Sequence, residues 1–195
     1  MALLAWVLLP FQVFNDVVLR FGRWVAIVAI GLMVVAILIQ VFFRYVLNNA
    51  LPWPDEAARF AMMWMTGLIA PMAYRRGGFV AIDMVVRALP ERIGALLSLV
   101  LLVIAGGVLA MAIDIGWGEV TGFMSRAKTA SLYYIDLSGS WEKVPRQWMM
   151  MSFFVGVVLL FVVNVELILR SVITLLGGGD GLKELAPRED ELMAE

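Results

Sequence analysis

The sequence predicts an all-α integral membrane protein: four transmembrane helices plus interfacial amphipathic helices. Three observations carry that reading. Apolar residues make up 63% of the 195 residues and charged residues only 16%, against about 45–50% and about 25% in a soluble domain. The surplus apolar surface must face lipid. Uncharged runs about as long as a bilayer is thick recur along the chain. Charge collects at the ends of those runs, most densely between Arg44 and Gly78.

The first 14 residues are apolar but interrupted by Pro10, and no basic residue precedes their core. They lack the positive opening and small-residue cleavage site of a secretion signal. The expectation is a short interfacial segment with Trp6 at headgroup level. Asn15 or Asp16 then caps the first spanning helix, expected over 16–44. Its core from Trp24 to Phe43 is uncharged, which meets the roughly 20 residues a span requires.

The second span is expected over 54–76. Pro54 suits its first turn, and Asp55 and Glu56 favour a helix start through the dipole. Arg59 snorkels toward the surface, and Gly77–Gly78 ends the helix. Phe79, Ile82, Val85, Val86 and Leu89 recur at helical spacing, opposite Asp83, Arg87 and Glu91. This reads as an interfacial helix over about 79–89, too charged to span.

The third span is expected over 91–113, with Gly94, Gly106 and Gly107 permitting close helix approach and Asp114 at its end. Residues 114–146 form a polar, aromatic-rich connector expected to hold short interfacial helices and loops. The fourth span, 147–170, contains Asn164 and Glu166. Residues 1–176 thus form one membrane domain, and 177–195 a charged, flexible tail. Arg75–Arg76 beside a short loop, with the wider excess of basic residues on the same side, places both termini in the cytoplasm. The connector then faces outward.

The composition excludes several functions. Net charge is −1, which gives no electrostatic footprint for nucleic acid. The chain has no Cys and no His. That removes disulfides, thiol chemistry, axial haem ligation by histidine and histidine-based proton transfer, and argues against a quinone-linked redox subunit. No catalytic residue, cofactor site or metal site is expected. GRWVAIVAIG and GGGDG contain glycine but lack the strand–helix context of a phosphate loop.

The ionisable residues near the bilayer are the sharpest feature. Arg44, Asp55, Glu56 and Arg59 cluster at one expected interface, and Arg44 is placed to reach Asp55 or Glu56. Such a cluster serves an ion or substrate site, or clamps helices one and two together, and interfacial charge is inexpensive enough for the clamp to suffice. Glu166 lies inside a span and needs a partner. Arg170 is four residues on, in the favourable order. Arg76, Asp83 and Arg87 complete the set of structural ion-pair or interface candidates. Met62, Met63, Met65 and Met149–Met151 read as packing or lipid-facing surface.

The stretch RYVLNNALPWPDEAARF, followed by an apolar run and then RRGGFVAIDMVVRALPER, resembles the small membrane subunit of tripartite ATP-independent periplasmic (TRAP) transporters, the DctQ-type family. The positions that carry the resemblance are Arg44, Tyr45, Trp53, Glu56, Arg59, Arg76, Gly77, Gly78 and Asp83, and it extends from about Arg20 to Arg170. It implies a scaffold in the bacterial inner membrane without catalytic residues. The implied partners are a large membrane subunit that moves as an elevator and holds the substrate and sodium sites, and a periplasmic binding protein that delivers an organic anion. The competing reading is a self-sufficient small homo-oligomeric carrier in which Glu166 takes part in transport.

Overall fold

The computed structural model describes residues 2–76, 90–136 and 139–176. The expected interfacial helix with Asp83 and Arg87, the Gly77–Gly78 helix end and the 177–195 tail lie outside the described residues. Four long helices dominate: α1 (Ala2–Tyr45), α2 (Trp53–Arg75), α3 (Glu91–Thr121) and α4 (Gln147–Leu175). Between α3 and α4 come a 3-10 turn, Phe123–Arg126, and two strands, β1 (Lys128–Ile135) and β2 (Trp141–Pro145). Three helical stretches are long and apolar enough to cross a membrane: Leu8–Tyr45, Ile93–Thr121 and Gln147–Leu175. α2 has 23 residues but carries Asp55, Glu56, Arg59 and Arg75, and it falls short of that apolarity.

Two local expectations are corrected. The first residues are not a separate interfacial segment, because α1 runs without a break from Ala2 and takes Pro10 into its interior. Proline forfeits one backbone hydrogen bond. The other backbone groups of an apolar segment still find their best partners within the helix. Asn15 and Asp16 therefore sit mid-helix and cap nothing. At the far end, Asn48 takes a left-handed φ of 48°, and the amides of Val46 and Asn49 donate to the carbonyls of Phe42 and Phe43. This is how asparagine closes a helix when glycine is absent.

The second correction concerns the connector. α3 continues past Asp114 and through Gly116 and Gly118 to Thr121, since one exposed carboxylate does not stop a helix. The segment beyond it is a β-hairpin, so the chain is mostly rather than wholly helical. β1 and β2 pair antiparallel, with Tyr133 opposite Lys143, Tyr134 opposite Glu142 and Ile135 opposite Trp141, and the register is irregular between Lys128 and Tyr133. Gly139, at φ 78°, donates its amide to the Asp136 carbonyl across the turn. β-branched and aromatic residues in LYYI and WEKV suit a pleated surface better than a helix.

The chain divides into two compact units. The first comprises Met1–Val18, Ala70–Ala110 and Leu159–Glu195, and the second Leu19–Ile69 and Met111–Val158. In the first, Asn164 of α4 lies over Gly106 of α3, where a Cβ would stand 2.8 Å from the amide nitrogen. In the second, small residues let backbones touch. A Cβ on Gly67 of α2 would stand 2.5 Å from the Ser152 carbonyl oxygen of α4, and one on Gly156 would stand 2.8 Å from the Gly67 Cα. The Trp117 ring of α3 packs on Phe154 of α4 at 5.6 Å, and Tyr134 of β1 packs on Trp148 at 5.4 Å. The last contact fixes the hairpin to the start of α4.

The glycine contact gives a direct test. Gly67→Ala is expected to lower the thermal midpoint of the detergent-solubilised protein, because overpacking costs about 1–3 kcal/mol. Gly107→Ala, where nothing stands within 4 Å, should not lower it. Equal midpoints for the two variants would show that α2 and α4 do not depend on this approach.

Candidate functional site

The polar residues of the first unit converge on one buried carboxylate. Glu166, Asn164 and Asn15 are 0%, 0% and 1% exposed. A buried ionised side chain is tolerated when it finds opposite charge and hydrogen bonds. The helix places each partner. Asn15 and Asp16 stand in the middle of α1, Tyr74 and Arg75 in the last turn of α2, and Glu166 and Arg170 one turn apart on α4.

The geometry accounts for both carboxylate oxygens. Glu166 Oε1 accepts from Arg75 Nη2 at 2.8 Å and from Arg170 Nε at 3.2 Å. Its Oε2 accepts from Asn15 Nδ2 at 2.6 Å. Arg75 Nη1 donates in turn to Asp16 Oδ1. Two carboxylates and two guanidiniums thus form one chain of ion pairs without net charge. Beside it, Asn164 donates through Nδ2 to the Leu102 carbonyl of α3 at 3.1 Å and accepts from the Tyr74 hydroxyl through Oδ1. Each described helix of the unit is thereby tied by a polar contact.

The second unit carries a different arrangement. Asp55 and Arg59 pair at 2.7 Å along the exposed side of α2, a contact of the kind worth a few tenths of a kcal/mol. Glu56 turns instead to the hairpin. Its carboxylate accepts from the backbone amides of Ala130 at 3.1 Å and Ser131 at 2.7 Å, and from the Ser131 hydroxyl at 2.6 Å. One side chain of α2 thus satisfies backbone donors on β1. Beside this clasp an open groove of about 630 Å³ is lined by Pro52, Trp53, Ser131, Tyr133 and Trp141, among others.

Several residues named from sequence stand elsewhere than expected. Arg44 does not reach Asp55 or Glu56. Its guanidinium lies 5.9 Å from the centroid of its neighbour Tyr45, and both acidic residues have the partners just described. Arg76 is exposed in the turn after α2. Glu166 and Arg170 stand together, joined by Asn15, Asp16 and Arg75, with Tyr74 bonded to Asn164 beside them; the sequence reading assigns none of these four partners to a site. The available signal was Asn-Asp inside an apolar run and a basic residue at a helix end at matching depth. Among the described residues no group of three or more His, Cys, Asp or Glu could hold a metal ion.

Two substitutions separate the contributions. Glu166→Gln leaves buried guanidiniums undercompensated, and loss of a buried partner costs about 3–5 kcal/mol. Asn15→Ala removes one donor to the carboxylate and leaves the charge balance intact, a loss of about 1.5–3 kcal/mol. The thermal midpoint should fall further for Glu166→Gln, and equal small shifts would refute the charge-balanced arrangement. Glu56→Ala should speed hydrogen exchange at the Ala130 and Ser131 amides about tenfold or more, since a bond to a charged acceptor contributes about 1.5–3 kcal/mol. Unchanged exchange would show that Glu56 does not hold the hairpin.

Residues 33–174 match the family model for the DctQ component of tripartite ATP-independent periplasmic transporters. No curated protein and no solved structure gives a match.

Proposed function

Since the chain belongs to the DctQ family of tripartite ATP-independent periplasmic transporter components, we propose that it is the scaffold subunit around which a larger membrane subunit is held. The family match over residues 33–174 is the observation that carries this reading. The family is one of transporter components, and membership makes the chain a membrane protein with partner subunits. The finer reading is that it helps import an organic anion, a carboxylate or a chemically similar compound, by symport with sodium. The large subunit would hold both substrate sites, and a periplasmic binding protein would deliver the anion.

The chemistry of the chain supports a bracing role. Asp16, Arg75, Glu166 and Arg170 neutralise one another, which suits a structural lock better than a substrate-binding charge. Asp55, Glu56 and Arg59 are likewise engaged within their own unit. On this reading α2 is the fourth span, its charged first turns lying at the membrane surface. On the same reading both termini lie in the cytoplasm of a bacterial inner membrane and the hairpin outside, an orientation that the excess of basic residues supports.

The test is a gentle detergent purification of the tagged protein from its native membrane, with mass spectrometry of what accompanies it. A stoichiometric partner with roughly a dozen apolar spans is expected, and the isolated chain should transport nothing in liposomes. A homo-oligomer with no such partner would overturn the scaffold assignment. In the same strain a Trp141→Cys variant, at a side chain 70% exposed, should react with an impermeant thiol reagent from outside. Reaction only after lysis would reverse the orientation.

A further inference from the structure

We infer that the face of α1 carrying Arg20 and Arg23 is a binding site for the headgroup of an anionic lipid. Both side chains are exposed, and among the described residues neither has an ion-pair or hydrogen-bond partner. Arg59, Arg75 and Arg170, by contrast, are paired with carboxylates. Two like charges one helical turn apart, with no counter-charge beside them among the described residues, are open to an anion from outside the chain.

Their depth says where that anion lies. The uncharged stretch Trp24–Phe43 begins immediately after Arg23 and ends at Arg44. At 1.5 Å per residue it covers about 30 Å, the thickness of the hydrocarbon core. Arg20 and Arg23 therefore stand at the level of phosphates when α1 spans. The surface around them is apolar and open: Phe21, Trp24 and Ile27 are 69%, 62% and 51% exposed. At 100° per residue Arg20, Arg23, Trp24 and Ile27 fall within an arc of about 100°. Leu19, Gly22 and Ala26 are buried on the other side of the helix, so the arginines have no inward alternative.

The pattern fits an amphiphile. Two guanidiniums offer planar forks to phosphate oxygens. Trp24 takes the boundary position that indole favours, and Ile27 lies a turn deeper against an acyl chain. An acidic protein surface would match the charge alone. A lipid matches the charge together with the exposed apolar side chains beside it. The inference rests on α1 spanning a membrane, not on the transporter assignment.

The experiment uses the full chain in detergent, with any subunit that copurifies, titrated with phosphatidylglycerol or phosphatidylcholine and read by native mass spectrometry. Phosphatidylglycerol should bind in preference. The Arg20→Gln/Arg23→Gln variant should bind it about thirtyfold more weakly, as expected for two cations near a charged surface. Arg20→Lys/Arg23→Lys should keep most of the affinity, and Arg44→Gln, at the other end of the span, all of it. Unchanged helical circular dichroism would show that the exposed substitutions leave the fold intact. Equal binding of the two lipids, an undiminished double Gln variant, or an equal loss in Arg44→Gln would each overturn the site. Release of a copurifying subunit by the double Gln variant, with phosphatidylglycerol binding unchanged, would assign the face to protein and also overturn it.

Discussion

Burying an ionised carboxylate imposes a demand that few arrangements meet. Glu166 is fully buried, and isolated it would cost several kcal/mol to keep charged. The first unit answers with two guanidiniums and an amide, and adds Asp16 so that the charges cancel. The consequence reaches beyond one side chain. Asn15 and Asp16 must stand at the depth of Glu166, which fixes the height of α1. Arg75 must reach both carboxylates, which fixes the end of α2. A helix that slid by one turn would move its charge by about 5.4 Å and leave a buried ion without its partner. Apolar packing alone tolerates such a slip far better.

The second unit solves a related problem with backbone groups. Gly67 and Gly156 leave no room for a Cβ, so α2 and α4 pack through their main chains, the arrangement small residues permit in membranes. The hairpin has strand edges with unpaired amides, and such groups need partners wherever water is scarce. Glu56 supplies acceptors to two of them, while Tyr134 stacks on Trp148. The acidic residue that opens α2 thus has a second use as an anchor for a distant strand.

These arrangements give the family assignment a physical setting. A subunit that translocates an anion needs charge or polar groups left available to it. Here the charged groups of α2 and α4 are engaged within the chain, and aromatic and aliphatic side chains are left facing outward. That balance accords with a scaffold whose work is to hold a position in the membrane. Arg20 and Arg23 are the contrasting case, a cationic pair turned away from the interior at the boundary of an uncharged span. Their geometry suits a lipid contact that would fix the depth of α1 from outside as the Glu166 cluster fixes it from within.

The sequence by itself determined the membrane class, the positions of the long apolar runs and the family. All three are carried by composition and local order, which a linear chain displays directly. It also set Glu166 four residues before Arg170, because helical periodicity is a local property. Tertiary structure alone decided that Asn15 and Asp16 serve as partners of a buried charge rather than as a helix cap, and that Glu56 binds a strand rather than Arg44. It also placed the close approach at Gly67 and Gly156, where no motif drew attention. The hairpin within 114–146 belongs to the same group, since its strands are short and their aromatics suit an interfacial helix equally well in sequence. The physical reason is common to these cases. A buried polar side chain takes whichever partner lies nearest in space, and residues 59 to 151 positions apart become neighbours only when the helices and strands assemble.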